Sequence, residues 1–365
     1  MRIAQIAPVI ERVPPKKYGG TERVVHVLTE ELVKKGHDVT LFASGDSLTS
    51  ARLIATTPKS VRELHRGNHY QAQIKTLAHV GYAYRMQSEF DIIHDHCGIN
   101  GLPLAVNAKT PVVMTLHGAF NKKNIHIYKI LNNPFNPYFV SISRRQQEML
   151  PNLNYADNIY NGLIMNEYPF SKESEGYLLF VGRITKEKGV HNAIEVAKSL
   201  KLPLIIAAKL DSMNKGFFQK YVKPSLSSEI KWIGEVNEKE RNRLMSKALC
   251  FLHPATWEEP FGLTLIEAMA TGCPVVAFKK GSIPEIVRDK KTGYVVETLD
   301  EMVTAVKNIK KISREYCRDY AIDTFSADKM VSSYESLYTK ILFEQYETRS
   351  ILSHQRVQFG TVLAQ

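Results

Sequence analysis

Short apolar segments alternate with segments of helical period along most of this chain, and this alternation restricts the fold most strongly. Residues 3–7 predict a first strand, the apolar positions between Val24 and Val33 predict a helix, and Asp38–Ala43 predicts the next strand. Strands that alternate with helices form parallel sheets with helices on both faces. The sequence therefore predicts an α/β protein with doubly wound sheets.

The alternation occurs in two units, the first before and the second after a break between residues 166 and 176. Pro169 and a charged segment interrupt the pattern there. A chain of 365 residues is long for a single core, which also favours two domains. We predict boundaries at 1–168 and 169–325, an amphipathic helix at 326–345 and a polar tail at 346–365. Further strands are predicted at 92–93, 112–115, 138–141, 177–181, 204–207, 230–233, 249–252 and 275–278, and further helices at 190–200 and 263–271.

Charge and cysteine content narrow the possible environments. The net charge of +11 favours phosphate-bearing ligands, nucleic acid or an anionic membrane surface, although a solvated basic surface explains it equally well. The four cysteines form no CxxC pair, which indicates reduced thiols. No apolar run reaches the roughly 18 residues of a membrane span. We therefore expect a cytoplasmic protein, with any membrane contact peripheral and at the inner face.

Two carboxylates flank a predicted loop-to-helix junction. Glu259 precedes Pro260 and Gly262, which delay the start of the helix, and Glu267 follows on the helix itself. On a helix this spacing separates the two side chains by roughly 12 Å, so they suit two parts of one extended ligand. The amides from Gly262 to Leu265 are expected to be free to bind an anion such as a diphosphate. A surface Glu and a helical Glu without a shared ligand remain the alternative.

Two further loops follow predicted strands. Gly19 and Gly20 come after the first strand, where a glycine pair lets the backbone approach a ligand, or simply forms a flexible turn. Arg183 and Lys188 come after the first strand of the second unit and suit a diphosphate, or form a solvated basic loop.

Three histidines lie near the ends of two other strands. His94 and His96 would share a face of a continued strand, but a metal site there lacks a third ligand at suitable spacing. Two doubly wound units imply a cleft between them, and His117 at a strand end is expected to face it. His117 is therefore the better functional candidate, with a core histidine as the alternative.

Taken together these residues resemble retaining glycosyltransferases of family 4, which have the GT-B fold. The resemblance covers residues 1 to 342 and rests on four motifs in the family's order. They are Tyr18-Gly19-Gly20-Thr21-Glu22, Thr115-Leu116-His117-Gly118, Val181-Gly182-Arg183 with Lys188, and Glu259-Pro260-Phe261-Gly262-Leu263-Thr264-Leu265-Ile266-Glu267.

The resemblance implies two Rossmann-like domains facing a central cleft, the first on the acceptor side and the second binding the donor, with the late helix crossing back to the first. It implies that a nucleotide-diphosphate sugar is the donor substrate, with no cofactor and no metal. Gly19, Gly20, Arg183 and Lys188 would contact the diphosphate. Glu267 would bind the ribose, and Glu259 the transferred sugar, aided by Phe261, Gly262, Leu263 and Thr264. Gly234 and Val236 would line the base pocket, and His117 would lie beside the sugar.

The expected activity is transfer of a hexose-type sugar, from a UDP-sugar foremost, with retained configuration. His117, Arg183, Lys188 and Glu259 are its expected catalytic residues. A GT-B sugar-nucleotide epimerase and an inactive nucleotide-sugar-binding protein are the alternatives. We expect a glycan, lipid-linked or small-molecule acceptor and no nucleic acid. The basic and aromatic segment 121–137, with Lys122, Lys123, His126, Tyr128 and Lys129, is the candidate acceptor wall.

Overall fold

The computed structural model describes residues 1–17, 19–64 and 69–362, with the backbone alone for residue 69 and for 348–362. Its strands are β1 (Arg2–Ile6), β2 (Asp38–Ala43), β3 (Arg52–Ala55), β4 (Ile92–Asp95), β5 (Val112–Leu116), β6 (Tyr138–Ser141), β7 (Tyr155–Asn158), β8 (Leu178–Arg183), β9 (Leu204–Lys209), β10 (Ile230–Gly234), β11 (Cys250–His253), β12 (Val275–Phe278) and β13 (Gly293–Val296).

The helices lie between these strands and after the last one. They are α1 (Gly20–Lys34), α2 (Val61–Leu64), α3 (His69–Arg85), α4 (Leu102–Ala105), α5 (Ile125–Ile130), α6 (Arg144–Met149), α7 (Val190–Leu200), α8 (Lys215–Phe217), α9 (Glu238–Lys247), α10 (Leu263–Ala270), α11 (Ile283–Ile286), α12 (Leu299–Lys307), α13 (Arg314–Phe325) and α14 (Ala327–Val362).

The strands form two parallel sheets, as the alternation predicts. The first has seven strands in the order β3-β2-β1-β4-β5-β6-β7, and the second has six in the order β10-β9-β8-β11-β12-β13. Each sheet is built outward from the strand that comes first in the chain, β1 or β8. Strands are added on one side of it and then on the other, so the direction of the order reverses between β1 and β4 and between β8 and β11. Such a reversal opens a crevice at the carboxyl ends of the strands, where ligands bind in sheets of this kind.

The sequence pattern did not indicate β3, β7 and β13, and all three are edge strands. The residues of β3 and β7 are partly buried or exposed, and the two middle residues of β13 are only partly buried, whereas central strands such as β5 are buried throughout. An edge strand covered on one side needs no continuous apolar run, so it leaves a weak signal in the sequence.

The chain passes between the two sheets at two adjacent places. Leu163 and Ser326 form an isolated parallel bridge, in which the Leu163 amide donates to the Phe325 carbonyl at 2.8 Å and the Ala327 amide donates to the Leu163 carbonyl at 2.8 Å. Gly162 packs so closely here that a Cβ atom would lie 2.7 Å from the Ser326 carbonyl oxygen. A bulkier residue would push the two crossings apart.

The late helix α14 returns to the first sheet, which confirms that expectation of the fold. Its buried residues Met330, Val331, Tyr334, Leu337, Tyr338 and Ile341 pack in one cluster with Ile3 of β1 and with Val24, Val27, Leu28 and Leu32 of α1. The predicted tail at 346–365 begins inside this helix, and its last residues, 363–365, lie outside the described part of the chain.

A carboxylate of the second unit also caps a helix of the first. The backbone amide of Arg144, at the start of α6, donates to Glu285 Oε1 of α11 at 2.8 Å. The Tyr160 hydroxyl donates to the same oxygen at 2.7 Å. Glu285 therefore links the two units by hydrogen bonds to Arg144 and Tyr160.

Candidate active site

A cavity of about 490 Å³ lies between the carboxyl ends of the two sheets. Its wall includes the loop after β1 of the first sheet and the loops after β8 and β11 of the second. These loops lie next to the points where the strand order reverses. The predicted site residues that line it are Gly19, Gly20, His117, Arg183, Lys188, Val236, Glu259, Phe261, Gly262, Leu263, Thr264 and Glu267. Residues from loops some 250 positions apart thus meet in one place.

Three positions of the predicted motifs and base pocket need comment. Gly234 ends β10, and it is its neighbours Glu235 and Val236 that line the cavity wall. Tyr18, which precedes the glycine pair in the first motif, lies outside the described residues. Arg183 is the last residue of β8, so it projects from the strand end and not from the loop behind it.

The wall of the cavity is rich in cationic side chains. It includes Lys17, Arg23, Arg62, Arg183, Lys188, Lys209 and Arg241. A cleft lined by cations concentrates an anionic ligand and lowers the cost of burying it. Five carboxylates line the same wall, namely Glu11, Glu22, Glu235, Glu259 and Glu267. The cations exceed them by two, which favours an anionic ligand.

The glycine pair makes two close approaches. Gly19 has φ of 157°, and a Cβ atom on it would lie 2.6 Å from the Pro15 Cβ of its own unit. A Cβ atom on Gly20 would lie 3.3 Å from Leu263 Cδ1, across the cleft at the start of α10. Glycine at position 20 thus lets the first unit come close to the second.

Lys188 and Glu259 form a buried ion pair inside the cavity. Lys188 Nζ donates to Glu259 Oε2 at 2.6 Å and lies 4.7 Å from the centre of the Trp257 ring. Trp257 Nε1 donates to the same carboxylate oxygen at 2.9 Å, and His253 Nε2 lies 3.3 Å from it. Burial opposes ionisation of Glu259, but Lys188 and His253 outweigh it and lower the pKa of the carboxyl to about 2. Glu259 is therefore an anion at neutral pH.

A glycine also places Lys188. Gly189 adopts φ of 74° in front of α7, and a Cβ atom on it would lie 1.9 Å from the Pro254 carbonyl oxygen. The loop that carries Lys188 therefore lies directly against the segment after β11 that leads to Glu259. This contact is what brings the two charges together.

Glu267 is fully buried and is held by two arginines that the sequence did not indicate. Arg241 of α9 donates from Nη2 to Glu267 Oε1 at 3.0 Å, and Arg23 of α1 donates from Nη1 to the same oxygen at 3.2 Å. Glu238 Oε1 lies 3.2 Å from Arg23 Nε and 3.1 Å from Arg241 Nη2. Burial disfavours the Arg23 cation, but Glu267 and Glu238 outweigh it and raise its pKa. Arg23 belongs to the first unit, so this network spans the cleft.

The start of α10 offers fewer free amides than expected. Gly262 precedes the helix with φ of 83°, and the Leu265 amide donates to the Gly262 carbonyl at 2.9 Å. The prediction that the Leu265 amide is free for an anion was therefore wrong. A glycine in the left-handed region turns the chain so tightly that the first helical hydrogen bond already closes there.

Glu22 belongs to the first motif, although the sequence analysis assigned it no role. It lines the cavity next to the glycine pair and is 6% exposed. Burial raises the pKa of its carboxyl to about 7. Its signal in the sequence was its place two residues after the glycine pair, within the first motif.

The three histidines contact one another without forming a metal site. His94 and His96 have ring centroids 4.0 Å apart, and His117 Nε2 lies 2.9 Å from His96 Nδ1. In the described part of the chain no group of three or more His, Cys, Asp or Glu side chains could hold a metal ion. Of the three, His117 lines the cavity, as predicted.

The candidate acceptor wall is only partly on the surface. Tyr128 is buried, with its ring centroid 5.3 Å from that of Phe120 and 6.0 Å from that of Phe139. It packs in the core and is unavailable to an acceptor, so its predicted place in the wall was wrong. Lys122, Lys123, His126 and Lys129 are exposed, as the prediction requires.

Two family models match the chain. The model described as Glycosyltransferase Family 4 matches residues 18–159, and the model described as Glycosyl transferases group 1 matches residues 166–323. The chain belongs to glycosyltransferase family 4. It is therefore a glycosyltransferase with the GT-B fold. This favours glycosyl transfer over the two alternatives, an epimerase and an inactive binding protein.

Individual relatives span nearly all of the chain. An uncharacterized 41.2 kDa protein in the cps region of Klebsiella pneumoniae is 28% identical over 88% of this chain and 96% of its own length. N-acetyl-alpha-D-glucosaminyl L-malate synthase of Bacillus anthracis is 23% identical over 89% of this chain and 94% of its own.

A solved structure shows the same fold. HepE of Anabaena, in complex with UDP, superposes with a TM-score of 0.70 at 19% identity, over 93% of this chain and all of its own. The same protein has also been solved with UDP-glucose. At such low identity the similarity establishes the arrangement of the two sheets and no residue role.

None of the described helices is long and apolar enough to cross a membrane.

Proposed function

We propose that this glycosyltransferase moves a hexose-type sugar from a nucleotide-diphosphate donor, foremost a UDP-sugar, to an acceptor hydroxyl with retained configuration and without a metal ion. The observation that carries the proposal is the cavity itself. It lies next to the points where the strand order of each sheet reverses. Cations from both units line it, together with the buried carboxylates of Glu259 and Glu267. UDP in the HepE structure supports uridine as the first base to test.

Arg183 and Lys188 would bind the diphosphate. Negative charge develops on the diphosphate as its bond to the sugar breaks, and a preorganised cation in a cavity stabilises that charge strongly. Lys188 already lies against Glu259, so a bound phosphate would share the ammonium group with this carboxylate. Gly19 and Gly20 would complete this part of the site from the opposite wall with their backbone.

Glu259 would bind hydroxyls of the transferred sugar. One of its oxygens, Oε2, accepts from Lys188 and Trp257. An ionised carboxylate has about four acceptor positions, so hydroxyl groups can be bound as well. The low pKa keeps the group an acceptor throughout the neutral range.

Glu267 would bind the ribose, and this requires the cleft to open. Both arginines reach its Oε1, and its Oε2 lies 3.0 Å from Arg241 Nε but at an angle that makes no hydrogen bond. Oε2 is buried, so a ribose hydroxyl cannot reach it in this state. Because Arg23 is in the first unit, separation of the two sheets would withdraw it and uncover the carboxylate.

The transfer would proceed on one face of the sugar. The bond from the anomeric carbon to the diphosphate oxygen breaks, the bond to the acceptor oxygen forms on the same side, and the acceptor proton passes to the leaving phosphate. Such a step needs no base from the protein. His117 would lie beside the sugar, where it orients the donor.

The acceptor would bind on the first unit, near segment 121–137. Lys122, Lys123 and Lys129 are exposed there, as are the apolar side chains of Ile130 and Phe135, at 75% and 77%. This combination suits a lipid-linked or polysaccharide acceptor at an anionic membrane. Failure of the protein to pellet with anionic vesicles at low salt would contradict the membrane part of the proposal.

A donor screen tests the activity. The enzyme is incubated with UDP-, GDP- and ADP-sugars, with and without candidate acceptors, and the products are identified by mass. We expect release of one nucleoside diphosphate and a product heavier than its acceptor by one hexose residue. A donor isomer without nucleotide release would indicate an epimerase, and unchanged donors that nevertheless bind would indicate an inactive binding protein.

A further inference from the structure

A chain of buried hydrogen bonds leads from the cavity into the first sheet. His117 Nε2 lies 2.9 Å from His96 Nδ1, and His96 Nε2 lies 2.7 Å from Gln5 Oε1. His96 and Gln5 are both buried, while His117 is half-buried against the cavity. The ring that faces the ligand is therefore held by a residue that the ligand does not reach.

The series of hydrogen bonds continues from Gln5 of β1 to helix α14, which crosses back to the first sheet. Gln5 Nε2 donates to the Tyr338 hydroxyl at 3.5 Å, and that hydroxyl lies 2.6 Å from His94 Nδ1. His94 Nε2 lies 2.7 Å from Thr115 Oγ1, which lies 2.8 Å from the Tyr334 hydroxyl. Tyr334 and Tyr338 both belong to α14.

The Gln5 amide nitrogen donates to the Tyr338 hydroxyl, and with the amide in this orientation the order of donors and acceptors assigns each proton. A neutral imidazole has one N–H and one bare nitrogen. The Gln5 carbonyl oxygen can only accept, so His96 carries its proton on Nε2 and its Nδ1 is bare. His117 must then donate from Nε2, which leaves His117 Nδ1 bare.

His117, His96 and His94, the three histidines in this series of hydrogen bonds, are neutral at physiological pH. Burial lowers the pKa of His117 to about 4 and lowers the pKa of His96 and His94 well below the ordinary value. Within the described residues His117 Nδ1 makes no hydrogen bond. A neutral ring with a bare nitrogen toward a cavity is a hydrogen-bond acceptor and nothing else.

We propose that His96 is a positioning residue that holds His117 with its proton on Nε2, so that His117 Nδ1 accepts a hydrogen bond from a hydroxyl of the transferred sugar. This inference rests on the proposed function for its ligand, but not for the proton positions. It assigns Gln5 and Tyr338 to the same task, because Tyr338 accepts from the Gln5 amide nitrogen and so keeps the Gln5 oxygen toward His96.

The arrangement also bears on the donor. A bare nitrogen favours a hydroxyl at this place and disfavours a carboxylate, because two groups that only accept cannot bond. The sugar group that meets His117 is therefore a hydroxyl. This selects neutral sugars over those with an acidic group at the same position.

Nitrogen NMR on histidine-labelled protein tests the proton positions without any ligand. The His117 signals are assigned as those lost in His117→Asn. We expect the wild-type protein to show His117 with a protonated Nε2 and a bare Nδ1. Tyr338→Phe, far from the cavity wall, should give a mixture of the two forms because it frees the Gln5 amide to rotate. Protonated Nδ1 in the wild type, or an unchanged spectrum in Tyr338→Phe, would overturn the proposal.

Binding measurements test the contact to the sugar. The affinity for UDP-glucose is divided by the affinity for UDP, and this ratio is compared between wild type and His96→Phe. We expect His96→Phe to lower the ratio about 2- to 10-fold, the equivalent of one neutral hydrogen bond, and to leave the affinity for UDP unchanged. His96→Asn, which keeps an acceptor near the Nδ1 position, should restore most of the ratio.

His79→Phe is the matched control, because His79 is also buried in the first unit, and its Nδ1 lies 2.8 Å from Thr56 Oγ1, which is not part of the series of bonds that ends at His117. It should leave the ratio unchanged. An equal loss of UDP and UDP-glucose affinity in His96→Phe would show a merely structural role and overturn the proposal. If wild type binds neither ligand, the choice of UDP fails, while the NMR result still decides the inference.

Discussion

Arg23 of the first unit and Glu267 of the second form an ion pair across the cleft, with Arg23 Nη1 3.2 Å from Glu267 Oε1. Glu267 is fully buried, and its other cationic neighbour, Arg241, belongs to its own unit. The residue expected to bind the ribose is thus also a contact that holds the two units together. Under the proposed ribose role of Glu267, closure of the cleft and occupation of the ribose site would be linked through this carboxylate.

Removal of Arg23 should destabilise the protein. Arg23→Met leaves Glu238 and Glu267 with Arg241 alone, so we expect a loss at the lower end of the about 3–5 kcal/mol that breaking a buried ion pair costs. Chemical denaturation followed by circular dichroism measures it. Lys34→Met on the same helix breaks an exposed pair with Glu31 and should cost about 1 kcal/mol or less. Equal effects of the two variants would mean that the pair across the cleft contributes little.

Lys188→Ala should reduce turnover strongly, and it should also destabilise the protein because it leaves the buried Glu259 without its cation. Loss of one preorganised charge at a developing anion costs about 10²–10³ in kcat. Lys186→Ala is the matched control, since it removes a lysine from the same loop that is exposed and outside the cavity. Initial rates with the donor found in the screen provide the measurement. Near-normal turnover of Lys188→Ala would remove this residue from the mechanism.

Glu22 should make the protein less stable as the pH rises. Its pKa is about 7 in the folded protein against 4.5 for the ordinary carboxyl, so between these values the folded state holds a proton that the unfolded state has lost. Stability therefore falls as the pH rises from about 4.5 to 7, by about 3 kcal/mol at 1.36 kcal/mol per unit.

Glu22→Gln should remove this loss, and the variant should unfold at a higher temperature than wild type at pH 8 but not at pH 4.5. Thermal unfolding at the two pH values tests the prediction. Glu195→Gln, at an exposed helix position, controls for the loss of a negative charge. A Glu22→Gln effect of the same size at both pH values would contradict it.

Two glycine substitutions should have opposite effects on stability. Gly162→Ala places a methyl group 2.7 Å from the Ser326 carbonyl oxygen at the crossing, and overpacking of this kind costs about 1–3 kcal/mol. Gly81→Ala, inside α3 with no atom within 4 Å of the new Cβ, should instead stabilise by about 0.5–1 kcal/mol. Denaturation curves of both variants decide the matter, and a stabilised Gly162→Ala would mean that the crossing tolerates separation.

The sequence was sufficient to predict the two sheets because their central strands are buried on both faces and so are continuous apolar runs, such as β5. It also indicated several of the loops that line the cavity, since loops after strands meet at one edge of a sheet. The edge strands β3 and β7 escaped prediction because their outer positions are exposed.

What the sequence could not predict are partners that meet only after folding. Arg23 and Arg241 approach Glu267 from two different helices, and no local pattern marks either residue as its partner. Tyr334 and Tyr338 fit the apolar face of an amphipathic helix, yet their hydroxyls bond to Thr115 and His94 inside the protein. An apolar position in a pattern does not reveal what a tyrosine hydroxyl will contact.

Calorimetric titration of UDP, GDP and ADP into wild type and Glu267→Ala tests most directly that the cavity binds a nucleoside diphosphate through Glu267. The account predicts that at least one of the three binds to wild type. It predicts a loss of about 10- to 100-fold in Glu267→Ala, since a hydrogen bond to a charged group contributes about 1.5–3 kcal/mol. Binding of none of the three to wild type, or equal affinity in the variant, would contradict the account.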